Sequence, residues 1–113
     1  MELTEMGKRA VAAKYQLQNL HREEKDRALL HAARALVEYT EEILAANAQD
    51  LQKGRENGMH QGLLDRLKLD QGRIAAMAEG LTQVAALPDP VGECLESFER
   101  PNGLHIEKRR VPL

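Results

Sequence analysis

Cys94 is the single cysteine of this 113-residue chain and its one candidate nucleophile. A catalytic thiol needs a lowered pKa, from a nearby base or a helix N-terminus. Cys94 instead follows Pro90-Val91-Gly92 in a strand-like segment, with Glu93 and Glu96 beside it. Two carboxylates disfavour the thiolate, so Cys94 reads as a small strand residue. His21, His31, His60 and His105 are the candidate metal ligands or bases. No two have the i, i+4 spacing of a helical metal clamp, and no second cysteine exists for a zinc site. They read as surface or half-buried residues without ligand roles.

Lys108-Arg109-Arg110 could meet a phosphate, but alternate residues of a strand point to opposite faces, so the run forms no single patch. Gly54, Gly58 and Gly62 punctuate helices and make neither a G-x-G-x-x-G nor a P-loop pattern. The acidic pairs Glu23-Glu24 and Glu41-Glu42 read as solvated helix starts, and Asn47-Ala48-Gln49-Asp50 reads as a helix start with no catalytic arrangement around it. Spacing alone therefore assigns no catalytic, cofactor-binding or metal-binding residue.

The elements that would position such residues are mostly helical. The chain is 42% hydrophobic, largely Ala and Leu, with one Phe, two Tyr and no Trp, so any core is built from aliphatic helix faces. A net charge of -2 lacks the basic excess of a nucleic-acid binder. The acidic start, with no apolar run after it, gives no signal peptide or membrane span, and a cytoplasmic protein is expected.

Met6, Ala10, Ala13, Leu17 and Leu20 form the stripe of a first helix, with Thr4 as its expected N-cap. Ala28, Leu29, Ala32, Ala33, Leu36 and Val37 form a wider second face, whose small residues allow close approach. Thr40 is the expected cap of a third helix that buries Ile43, Leu44 and Leu51, with a kink or break near Asn47. Asn57-Gly58 ends it, because glycine tolerates the left-handed conformation of a helix stop. Gly62–Leu67 makes a short helical turn. Asp70 caps a last helix carrying Ile74, Met77, Leu81 and Val84, which Pro88 stops. The fold class is mainly α: four to five antiparallel-leaning helices with short connections.

After Gly92 the pattern alternates. Cys94 to Arg100 and Leu104 to Val111 read as two strands, with Asn102-Gly103 as two turn residues that accept positive φ. A lone two-stranded ribbon is marginal, and its edges need a partner. The sequence ends on Val111-Pro112-Leu113, with no polar tail or covering helix. A larger protein that continues beyond Leu113 is therefore expected.

Blocks of this sequence resemble the gamma-glutamyl phosphate reductase family of the aldehyde dehydrogenase superfamily. They are Glu42–Leu51 (EILAANAQDL), Glu56–Met59, Leu63–Leu67, Arg73–Leu81, Gln83–Glu93 and Arg100–Leu104 with Ile106–Lys108, in the family's order. The likeness covers essentially the whole chain and departs mainly at residues 12–24 and from Cys94 to Phe98.

The resemblance implies an N-terminal fragment of an α/β enzyme that reduces gamma-glutamyl phosphate to glutamate-5-semialdehyde with NADPH, in proline biosynthesis. It implies residues 1–90 as the helical N-terminal part of the cofactor-binding domain, and 91–113 as a β-hairpin arm that makes subunit contacts in a homo-oligomer. The family's catalytic cysteine lies downstream, so Cys94 does not inherit that role. The fragment is expected to be inactive and to bind no cofactor, nucleic acid or membrane. The competing expectation is a small non-catalytic helical interaction module that dimerises through its hairpin.

Overall fold

A computed structural model describes all residues, Met1–Leu113. Five helices precede one hairpin: α1 Leu3–Leu17, α2 Arg22–Glu38, α3 Thr40–Glu56, α4 Gln61–Leu67, α5 Gln71–Ala86, β1 Cys94–Glu99 and β2 His105–Arg109. The chain divides into two compact units. One joins Met1–Arg22 to Pro88–Leu113, and the other is Glu23–Leu87.

The Glu23–Leu87 unit holds the core. Ala33, Leu51, Leu64, Ile74, Ala78 and Ala85 are its buried hydrophobic residues, drawn from all four helices. Ile74, at 1% exposure, is the centre of this wholly aliphatic set. Burying such a side chain stabilises by about 1.5–3 kcal/mol. Gly54 lets α3 approach α4 closely: a Cβ there would stand 3.0 Å from Leu64 Cδ2 and 3.3 Å from Met59 Sδ.

The helix ends show why each helix stops. α3 closes in a Schellman motif, with Gly58 at φ 73. The Met59 N–H donates to the Gly54 carbonyl at 2.8 Å and the Gly58 N–H to the Arg55 carbonyl at 3.0 Å. Glu41 and Glu42 in its first turn and Lys53 and Arg55 in its last complement the helix dipole. The Asp70 carboxylate accepts from the Arg73 N–H at 2.7 Å, as its position at the start of α5 predicts. α5 ends at Ala86, two residues before Pro88.

Three helix expectations change. α1 begins at Leu3, before Thr4, because the Met6 N–H already bonds the Glu2 carbonyl at 3.0 Å. Thr40 does not cap α3. Only Tyr39 separates α2 from α3, and the Thr40 hydroxyl donates back to the Leu36 and Val37 carbonyls at 3.0 and 2.8 Å. It thereby satisfies carbonyls that the end of α2 leaves unpaired. α3 runs unbroken through Asn47, whose side chain is satisfied by another segment and does not compete for the helix backbone.

In the other unit, α1 has no buried residue, so its stripe is open, with Met6 and Leu17 exposed. The hairpin is antiparallel, pairing Ser97 with Glu107, Phe98 with Ile106 and Glu99 with His105. Its turn differs from the expected two-residue form. Gly103 has φ 86, whereas Asn102 does not have positive φ. The Gly103 N–H donates to the Arg100 carbonyl at 2.9 Å, and the Arg100 N–H to the Leu104 carbonyl at 2.8 Å. That is a three-residue loop with glycine in the left-handed position. Pro101 favours it, because its fixed φ suits the first corner of an ordinary turn. The Asn102 carboxamide oxygen accepts from the Leu104 N–H at 3.1 Å.

Candidate functional site

The densest set of polar contacts lies on one face of the hairpin. Register places Ser97 opposite Glu107 and Glu99 opposite His105, with Cys94 opposite Arg109. The register slips between Cys94 and Glu96, so Leu95 is the extra residue of a bulge. Simple alternation therefore breaks there, and Cys94 does not pair in step with Glu96 and Phe98.

His105 Nε2 lies 3.2 Å from Ser97 Oγ and 3.1 Å from Glu107 Oε1. His105 Nδ1 lies 3.9 Å from Glu99 Oε1, beyond hydrogen-bond reach. Arg109 donates through Nε to Glu107 Oε2 at 2.5 Å and through Nη1 to the Gly92 carbonyl at 3.0 Å. Arg109, and next the bond from His105, hold the Glu107 carboxyl below its ordinary value. Glu107 in turn raises the Arg109 guanidinium.

Serine, histidine and glutamate side by side invite comparison with a nucleophilic triad. The geometry does not build one. A triad carboxylate orients the histidine through the nitrogen that faces away from the nucleophile. Here Glu107 and Ser97 share Nε2, and the opposite nitrogen has no carboxylate within bonding distance. The cluster is also exposed. It is a cross-strand network that fixes register.

The remaining candidates occupy structural positions. Cys94 is exposed, and its thiol donates to the Glu96 carbonyl at 3.4 Å. Arg110 pairs with Glu93 at 3.0 Å while Arg109 engages Glu107, so the basic run splits between partners. His60 Nδ1 accepts from the Gly62 N–H at 3.1 Å and caps α4. His31 is exposed. No group of three or more His, Cys, Asp or Glu residues could hold a metal ion. No buried side-chain nitrogen or oxygen lacks a partner. No helix is long and apolar enough to cross a membrane.

Two residues, Asn47 and Arg73, have roles that sequence reasoning missed. Asn47 is the buried polar residue of the core. Its amide donates to the Leu67 carbonyl and accepts from the Leu69 N–H, both at 2.9 Å. Arg73 donates to the Asp65 carbonyl at 2.8 Å and also to the Lys68 carbonyl. Together they hold the connection from α4 to α5. The available signal was Asn47 lying four residues from both Ile43 and Leu51, on the apolar stripe.

No family model matches the chain. Individual proteins do. A gamma-glutamyl phosphate reductase of Brucella anthropi is 50% identical over 98% of this chain. One of Heliobacterium modesticaldum is 52% identical over 99%. The crystal structure of gamma-glutamyl phosphate reductase from Thermotoga maritima superposes with a TM-score of 0.91 at 40% identity, over 98% of this chain. The chain is a homologue of gamma-glutamyl phosphate reductase over its N-terminal part. It spans about a quarter of these relatives: 26% and 27% of the two curated proteins and 27% of the solved chain. The five helices and the hairpin thus match part of that solved enzyme.

Proposed function

We propose that these residues serve as the N-terminal helical part and hairpin arm of a gamma-glutamyl phosphate reductase. The carrying observation is sequence and fold together: half of the 111 aligned positions are identical to the Brucella anthropi enzyme, and 98% of the chain superposes on part of the Thermotoga maritima enzyme. The reaction is reduction of gamma-glutamyl phosphate to glutamate-5-semialdehyde, in cytoplasmic proline biosynthesis. The cofactor that the resemblance implies for the whole enzyme is NADPH.

The residues present do not fit that cofactor, so no step is derived through it. Gly54 and Gly58 serve helix packing and a helix stop. Gly62 lies within the seven-residue α4, and no glycine-rich strand-to-helix turn exists to cradle a pyrophosphate. By resemblance, the family's reacting cysteine lies downstream of these residues, and Cys94 is a strand residue whose thiol donates to the Glu96 carbonyl. What these residues contribute is scaffold: a four-helix unit, and a hairpin that makes subunit contacts in a homo-oligomer.

Grafting tests this. Residues 1–113 should replace the matching segment of the Heliobacterium modesticaldum enzyme with reductase turnover retained, while the 113-residue chain alone shows none. A folded but inactive graft, or turnover by the chain alone, would overturn the assignment.

A further inference from the structure

We draw no further inference here: the strongest candidate, the open apolar groove between α2 and α5 lined by Leu30, Ala33, Val37, Ala75 and Ala78, carries nothing because nothing in the structure shows what covers it.

Discussion

At the scale of single residues, Asn47 is the most constrained position. One carboxamide satisfies a carbonyl and an N–H twenty and twenty-two residues away. Replacing it with Ala leaves both backbone groups without a partner, at a cost of about 1–3 kcal/mol. The urea midpoint of Asn47→Ala should fall accordingly, and an unchanged midpoint would show that the bonds are dispensable. Glu107 sets a pH dependence. Its carboxyl titrates below the ordinary range in the folded hairpin, mainly because Arg109 donates to it. The folded pKa is depressed, so this contribution is present above the unfolded value, about 4.3. It disappears as pH falls through the folded value. Amide protection factors across residues 94–109, corrected for the intrinsic pH dependence of exchange, should therefore fall on acidification into that window. Glu107→Gln should show lower protection already at pH 7, with less further loss in acid. Identical profiles for the two proteins would contradict the assignment.

At the scale of elements, glycines separate packing from propensity. Gly54 and Gly80 both lie inside helices. A Cβ at position 80 meets nothing within 4 Å, whereas at position 54 it presses on the buried Leu64 side chain. Gly80→Ala should stabilise by about 0.8–1 kcal/mol, the difference in helix propensity. Gly54→Ala gains the same propensity but loses about 1–3 kcal/mol to overpacking. Thermal melts should move in opposite directions, and two upward shifts would mean that Leu64 yields freely. Most elements were legible in the sequence, because each carried local signals: stripes for the helices, Asp70 and Gly58 at their ends, Pro88 as a stop. The illegible details were contests between neighbours. Thr40 could cap α3 or close α2, and only the one-residue gap after Glu38 decides for α2. Asn102-Gly103 named a turn, yet Pro101 before it selects a three-residue loop.

At the scale of the whole molecule, apolar surface is the main feature. Met6, Val11 and Leu17 of α1 are exposed, and so are Leu95, Phe98 and Leu104 of the hairpin. The buried set is small and contains no aromatic residue. A ribbon of two strands with open edges is marginal without a partner. Concentration-dependent association through residues 93–111 should follow, measurable by sedimentation velocity and weakened by Phe98→Lys. A strictly monomeric chain at high concentration would count against the hairpin as a subunit contact. The candidate site had a different legibility from the fold. That no histidine pair or second cysteine forms a metal clamp could be counted in one dimension. That Ser97, His105 and Glu107 meet on one face required the register, which the three-residue loop from Pro101 to Gly103 sets.

The sequence by itself determined the kinds and order of elements and the family likeness, because periodicity, helix stops and short sequence blocks are local along the chain. Tertiary structure alone decided that Asn47 joins α3 to the Leu67–Leu69 connection, that Gly54 is a contact point, and that the hairpin's polar residues form a register lock. Each of these depends on atoms brought together from distant positions, and spacing along one chain does not encode such distances.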